Sequence, residues 1–186
     1  LLFEIFMARK TDIKEKKAAA ANRLKVFTLE DNCMACGLCE VACTVEHSPS
    51  KDVRKGFRGP EKGQTRIQVE RKGSASFAIQ CRHCEDSPCI TACMTGAMEM
   101  DPETGAVLVD EEKCVGCWMC IMACPYGVIS RAQRGKEIAI KCDLCPGRET
   151  PMCVVACPNR ALVYGAGEEA PVAEPEEEEE EPETEN

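Results

Sequence analysis

The stretch "CVGCWMCIMACPYG", residues 114–127, places four cysteines within eleven positions and follows the last of them with a proline. The spacing is C-x2-C-x2-C-x3-C-P. Pro125 fixes φ and removes a backbone donor at the point where the chain leaves the cysteine loop. A loop this rich in thiols is built either to form disulfides or to bind metal.

All sixteen cysteines of the 186-residue chain fall into four such quartets, and no cysteine is left over. The quartets are, in order, Cys33, Cys36, Cys39 and Cys43; Cys81, Cys84, Cys89 and Cys93; Cys114, Cys117, Cys120 and Cys124; and Cys142, Cys145, Cys153 and Cys157. The first has the spacing of the third, while the second and fourth read C-x2-C-x4-C-x3-C and C-x2-C-x7-C-x3-C. Four variants of one spacing predict a repeated structural unit.

The composition favours metal over disulfides. Aromatic residues make up only 4% of the chain, so hydrophobic burial alone gives a weak core. No secretory signal is recognised, and no apolar segment approaches the 18 or so residues of a membrane span. We therefore expect a cytoplasmic protein, in a reducing compartment where disulfides are rare.

Iron–sulfur clusters explain the spacing better than zinc does. Zinc sites use separated C-x2-C pairs, and three cysteines at i, i+3 and i+6 crowd a single tetrahedral ion. A [4Fe–4S] cluster accepts three thiolates from one such loop, and in bacterial ferredoxins the fourth cysteine binds the other cluster of a pair. The sequence thus predicts four [4Fe–4S] clusters in two pairs, and spacing alone leaves open which quartets pair.

Short strands are predicted between the quartets. Residues 65–80, 96–110 and 127–141 alternate apolar and polar residues on either side of a turn, which is a hairpin pattern. "LKVFTLE" (24–30) and "RALVYG" (160–165) are typical of single strands, and "CEVAC" and "CIMAC" suit the first turn of short helices. Residues 47–63, rich in glycine, proline and charge, form a predicted loop insertion.

Three segments differ in composition. We expect residues 1–24 to be an N-terminal arm, residues 25–166 to be the cysteine-containing domain, and residues 167–186 to be a disordered acidic tail. The tail holds eleven of the 32 acidic residues and no basic one, which leaves 21 acidic against 23 basic residues elsewhere. The formal charge of −9 therefore belongs to the tail.

The array resembles the four-cluster electron-transfer subunits that serve molybdenum and tungsten oxidoreductases, formate dehydrogenases, hydrogenases and carbon monoxide dehydrogenases. "CEVACTVEHSPSK", "QCRHCEDSPC", "CVGCWMCIMACPYG" and "KCDLCPGRETPMCVVACP" carry the resemblance, which covers about residues 25–164. "VEHS" and "KCDLCPGRETP" favour the branch associated with carbon monoxide dehydrogenase. Thr44 and Met94 depart from the pattern, because they stand where a proline follows the third and fourth quartets.

The resemblance implies an α+β fold, a duplicated bacterial dicluster-ferredoxin domain in which short hairpins and helices surround four cubane clusters. It implies that the outer quartets pair with each other, as do the inner ones. The implied ligand sets are Cys33, Cys36, Cys39 and Cys157 (cluster a); Cys142, Cys145, Cys153 and Cys43 (cluster b); Cys81, Cys84, Cys89 and Cys124 (cluster c); and Cys114, Cys117, Cys120 and Cys93 (cluster d).

Other residues beside the quartets have supporting roles in this interpretation. We expect Trp118 and Tyr126 to pack over a cluster, and His47 and His83 not to be ligands, since sixteen thiolates fill sixteen sites. His83, within "CRHC", is predicted to donate a hydrogen bond near the cluster. Lysines and arginines next to the cysteines, such as Lys141, would offset the negative charge of the clusters.

The predicted function is electron transfer without catalysis, because no catalytic motif is found. The chain would relay single electrons between a catalytic oxidoreductase subunit and a ferredoxin or second redox enzyme. Two alternatives remain at this level. A free-standing polyferredoxin would have the same clusters and no fixed partner, and a redox sensor or scaffold would report oxygen through its clusters.

Overall fold

The computed structural model describes residues 23–133 and 135–167. The strands are β1 (Leu24–Thr28), β2 (Ile67–Lys72), β3 (Ala75–Gln80), β4 (Met98–Met100), β5 (Val107–Val109), β6 (Ser130–Arg131), β7 (Ala139–Ile140) and β8 (Leu162–Ala166). The helices are α1 (Leu38–Glu46), α2 (Pro88–Thr91), α3 (Met119–Ala123) and α4 (Met152–Val155), and short 3-10 turns cover Glu30–Asn32 and Gly59–Glu61. The described chain is therefore a mixed domain of short helices and short strand pairs, as predicted.

The strands pair in four antiparallel ladders of two. The three predicted hairpins are confirmed as β2–β3, β4–β5 and β6–β7. The two predicted single strands, β1 and β8, are also present, and they pair with each other from Leu24 opposite Ala166 to Thr28 opposite Leu162. This ladder joins the two ends of the described chain, so the first and fourth quartets lie beside the same sheet.

Each quartet supplies one short helix that starts one residue before its third cysteine. The predicted helical turns at "CEVAC" and "CIMAC" are confirmed in α1 and α3, and α1 is the longest helix in the described residues. Contacts pair α1 with α4 and α2 with α3. The helix of the first quartet thus packs against that of the fourth, and the second against the third.

The interior divides into two apolar clusters that contain much of the thiol content. One combines Val26 and Leu162 of the closing ladder with cysteines of the first and fourth quartets and with Cys81 of the second. The other combines Val107 and Ile138 with cysteines of the second and third quartets. The largest fully buried side chains are His83, Val107 and Pro151. No phenylalanine, tyrosine or tryptophan side chain is therefore fully buried in either core of the described chain.

Parts of the predicted organisation lie outside the described residues. These are most of the N-terminal arm and nearly all of the acidic tail, so the proposed domain boundaries stay predictions. Between residues 23 and 167, apart from residue 134, no helix has both the length and the apolar character needed to cross a bilayer.

Candidate metal centres

The four C-x2-C loops share one backbone turn. The residue just before the second cysteine has positive φ in every loop: Ala35 at 54°, His83 at 45°, Gly116 at 67° and Leu144 at 62°. Only one of the four is glycine, although the left-handed conformation costs other residues about 1–2 kcal/mol. The same left-handed turn therefore recurs between the first two cysteines of every quartet.

The first quartet converges with one cysteine of the fourth. A small cavity near the β1–β8 ladder is lined by four thiols, Cys33, Cys36, Cys39 and Cys157. Cys157 follows α4, and the packing of α4 on α1 carries it to this position. The cavity therefore gathers the set predicted for cluster a.

The third quartet converges with one cysteine of the second in the same way. A second cavity is lined by Cys93, Cys114, Cys117 and Cys120. Cys93 follows α2, which packs against α3. This cavity gathers the set predicted for cluster d.

The remaining cysteines of the fourth quartet lie near Cys43 of the first. Burial raises the pKa of Cys142 to about 12, and negative charge on Cys81 and Cys43 contributes to the increase. Burial also raises the pKa of Cys145 and Cys153, with Cys43 again among the charges that act on each thiol. Cys43 is thus an electrostatic neighbour of all three thiols, although Cys81 and Cys39 also act on members of this group. The ligand set of cluster b stays a prediction.

A corresponding neighbourhood surrounds the second quartet. Burial raises the pKa of Cys84 and of Cys89, and both thiols feel the charges of Cys81 and Cys124. Cys124 belongs to the third quartet and ends α3, so this group again crosses between quartets. The ligand set of cluster c stays a prediction.

The arrangement of the thiols fits iron–sulfur clusters better than it fits disulfide bonds. All sixteen are free, so the disulfide alternative finds no support in the structure. Backbone N–H groups donate to sulfur, with Arg66 N 3.2 Å from Cys43 Sγ and Ala161 N 3.2 Å from Cys157 Sγ. Such donors stabilise thiolates and tune cluster potentials. Groups of four thiols, most of them buried or half-buried, with N–H···S contacts therefore fit the donor set of a cubane.

Asp143, in the cysteine loop of the fourth quartet, forms an ion-pair network with His47 and Arg66. His47 Nε2 lies 3.1 Å from Asp143 Oδ1, Arg66 pairs with the same carboxylate, and His47 Nδ1 lies 2.8 Å from the carbonyl oxygen of Cys43. Burial lowers the pKa of His47, but the hydrogen bonds with Asp143 and Cys43 together outweigh it and raise the pKa to about 9. Burial likewise opposes ionisation of Asp143, yet His47 and Arg66 hold its pKa below its usual range.

Sequence reasoning missed this network. Ligand atoms of His47, Asp143 and Cys145 lie within 4.8 Å of one another, which is close enough for a metal ion. Because Asp143 is already neutralised by Arg66 and His47, we interpret the group as a brace for the cysteine loop. An aspartate directly after Cys142 was the only local signal, and nothing in the sequence linked it to residues 47 and 66.

The two aromatic residues of the third quartet occupy different environments. Trp118 has a φ of 66° at the start of α3 and lines the Cys114–Cys120 cavity, as expected for packing over a cluster. Its ring also contacts the guanidinium of Arg131, 4.6 Å from the ring centroid. Tyr126 is 43% exposed and stacks with Arg82.

Comparison with known proteins places this geometry in a family. The model of the 4Fe-4S dicluster domain matches residues 74–167, which contain the second, third and fourth quartets. The putative electron transport protein YsaA of Escherichia coli K12 is 41% identical over 132 residues, 70% of this chain and 82% of its own.

Two further relatives extend the match. The electron transport protein HydN of Escherichia coli K12 is 40% identical over 146 residues, 70% of this chain and 81% of its own. The polyferredoxin-like subunit of an aliphatic sulfonate oxidoreductase from Pyrococcus furiosus is 39% identical over 135 residues, 73% and 72% of the two chains. The match favours iron–sulfur clusters over zinc. This chain belongs to the family of iron–sulfur electron-transfer proteins that contain the 4Fe-4S dicluster domain.

Proposed function

We propose that this protein is an electron-transfer subunit that binds four [4Fe–4S] clusters through sixteen cysteines. The proposed ligand sets are those of clusters a, b, c and d, in which each cluster takes three thiolates from one quartet and one from another. The proposed domain spans residues 25–166 and consists of two dicluster units, one from the outer quartets and one from the inner quartets.

The observation that carries the proposal is the crossing of thiols between quartets. Cys157 lines the cavity of the first quartet, and Cys93 lines that of the third. Both positions follow from helix packing, because α1 contacts α4 and α2 contacts α3. Crossed ligation of this kind is how paired cubanes are held in bacterial ferredoxins.

The exposure of the thiols favours an order a–b–c–d for the clusters. Cys142, a proposed ligand of cluster b, is influenced by the charge of Cys81, a proposed ligand of cluster c, so b and c would be neighbours. Cys36 and Cys117 are the two exposed cysteines, and they belong to clusters a and d. Electrons would therefore enter and leave at the two ends of the row.

The chain itself would bind, shield and tune the cofactors. When bound, a [4Fe–4S] cluster supplies one-electron oxidation and reduction. The four proposed ligands of cluster b are all buried, so the chain would shield that cluster from water. N–H groups such as those of Arg66 and Ala161 stabilise the thiolate ligands. The chain would make no bond in a substrate.

The proposed partners are a catalytic oxidoreductase subunit at one end and a ferredoxin or second redox enzyme at the other. HydN is named as an electron transport protein, and the Pyrococcus furiosus relative as a subunit of an oxidoreductase, which supports this role. The branch associated with carbon monoxide dehydrogenase stays a prediction from the motifs, as does a cytoplasmic location.

The crossed ligand sets can be tested with three cysteine variants. Cys157→Ala should alter the same cluster signal, in electron paramagnetic resonance (EPR) of the reduced protein, as Cys36→Ala, because both residues are assigned to cluster a. Cys145→Ala should alter a different signal, that of cluster b. If Cys157→Ala instead matches Cys145→Ala, each quartet binds its own cluster and the assignment is wrong.

The partner is tested by anaerobic affinity purification of the intact chain followed by mass spectrometry. We expect a large oxidoreductase polypeptide in a constant ratio to the chain. A monomer that reduces several unrelated enzymes at similar rates would contradict the subunit role and support a free polyferredoxin. Oxygen-dependent cluster loss coupled to altered partner binding would support a redox sensor.

A further inference from the structure

Two buried basic side chains bind the backbone of one residue, Val107, between the proposed clusters b and c. His83 is fully buried, and Lys141 is 2% exposed. The Val107 N–H donates to His83 Nδ1 at 2.9 Å, and the Val107 carbonyl accepts a hydrogen bond from Lys141 Nζ. The backbone of Val107, in β5, therefore connects the two side chains.

The hydrogen-bond geometry determines which ring nitrogen of His83 carries the proton. A ring nitrogen that accepts from a backbone N–H carries no proton, so Nδ1 is bare and the imidazole is neutral with its proton on Nε2. Nε2 is buried and has no hydrogen-bond partner in the described residues. A buried donor without an acceptor is costly, and His83 lies between two proposed ligands of cluster c, Cys81 and Cys84.

Lys141 is a buried cation without a carboxylate partner among the described residues. Its Nζ donates to two carbonyls, those of Val107 and, at 3.0 Å, of Cys142. A buried charge is stable only where an opposite charge compensates it. Compensating charge is available from the proposed cluster ligands. Cys142, a proposed ligand of cluster b, directly follows Lys141. His83, which is bound to the same Val107 backbone, directly precedes Cys84, a proposed ligand of cluster c.

We propose that Lys141 and His83 set the reduction potentials of clusters b and c, with Lys141 as the shared counter-charge and His83 Nε2–H as a donor to cluster c. This inference rests on the proposed function and adds the residues that tune its central step. A cubane becomes more negative on reduction, so a nearby cation or donor stabilises the reduced form and raises the potential. Without the pair, clusters b and c would be reduced less readily than they are in the unmutated chain.

The chain supplies a matched control for the lysine. Lys113 precedes Cys114 as Lys141 precedes Cys142, but its side chain is 53% exposed and pairs with Asp110 and Glu99. Water and salt screen such a charge, whereas a buried one is screened much less. Lys113→Met should therefore change the reduction equilibrium constant of each cluster by no more than about twofold.

The test is an anaerobic redox titration of the intact, cluster-loaded chain followed by EPR. Lys141→Met should make reduction of clusters b and c at least tenfold less favourable, which is 59 mV for one electron. Lys141→Gln keeps donors for the two carbonyls and loses only the charge, so it should give a similar shift. If Lys141→Met loses its clusters, Lys141→Gln still tests whether the charge sets the potentials.

The histidine is tested in parallel. Leucine already occupies the equivalent left-handed position in the fourth quartet, at Leu144, so His83→Leu is expected to fit. It should lower the potential of cluster c alone, and His83→Gln should restore part of it. In the unmutated protein labelled with 15N-histidine, pulsed EPR should detect one ring nitrogen coupled to reduced cluster c.

Clear results would overturn the inference. Wild-type potentials in Lys141→Gln, or a shift in Lys113→Met as large as that in Lys141→Met, would show that the buried charge has no special role. If the potential of cluster c is unchanged in His83→Leu and no 15N coupling is detected, His83 does not tune that cluster. Fewer than four clusters in the unmutated chain would refute the proposed function instead, so the two failures are distinguishable.

Discussion

Gly116, in the "CVGC" loop of the third quartet, offers a sharp steric test of the structure. Its φ is 67°, and a Cβ added there would lie 2.5 Å from the carbonyl oxygen of Glu137 and 3.3 Å from the Trp118 ring. A real Cβ does not approach a backbone oxygen so closely, so the backbone at Glu137 must move. Ile138, the next residue, packs in the core with Cys114 and Cys120.

The cost of Gly116→Ala has two parts. The left-handed backbone costs an alanine about 1–2 kcal/mol. Overpacking against Glu137 adds about 1–3 kcal/mol. Gly127→Ala is the matched control, since Gly127 has a φ of 63° and its Cβ would meet no atom within 4 Å. The control should therefore carry only the first cost.

The assay is the anaerobic rate at which visible cluster absorbance is lost in guanidinium chloride. Gly116→Ala should lose clusters about 5- to 150-fold faster than Gly127→Ala, the ratio for a difference of about 1–3 kcal/mol. The signal assigned to cluster d should disappear first. Equal rates for the two variants would refute the reasoning, because they would show that the loop does not contact Glu137 as described.

Two other perturbations test how the clusters and the chain depend on each other. Anaerobic removal of iron by a chelator should abolish most of the far-ultraviolet circular dichroism of the domain, because no large aromatic side chain is fully buried in the described residues; an unchanged spectrum would contradict this. Asp143→Asn should speed cluster loss about tenfold, since it weakens charge-assisted hydrogen bonds with His47 and Arg66 that contribute about 1.5–3 kcal/mol each. Asp110→Asn is the control, because Asp110 pairs with the exposed Lys113. The same acceleration in both aspartate variants would argue against the brace.

Local pattern predicted most of the secondary structure. The three hairpins and both single strands follow from alternation bounded by glycine and proline, which is a short-range signal. The pairing of β1 with β8 spans nearly the whole described chain, and two isolated strands contain no information about their partner. The left-handed turns at His83 and Leu144 were also missed, since neither residue favours positive φ by itself.

The cysteines could be identified from sequence because the chemistry requires one residue type at fixed spacing. Their grouping in space was implied by a family resemblance and not by spacing, and it depends on helix packing that no local motif encodes. The supporting residues are harder still. Lys141 and Lys113 hold equivalent places beside a cysteine, yet one is buried and the other exposed, and only the folded chain distinguishes them.

The most direct test of the account is the cofactor content of anaerobically purified protein. Iron and acid-labile sulfide should each reach about 16 atoms per chain, four per cubane, with Mössbauer spectra of [4Fe–4S] clusters only. About 8 iron atoms would leave half of the proposed sites without a cluster. A colourless, folded protein that contains zinc would contradict the account altogether.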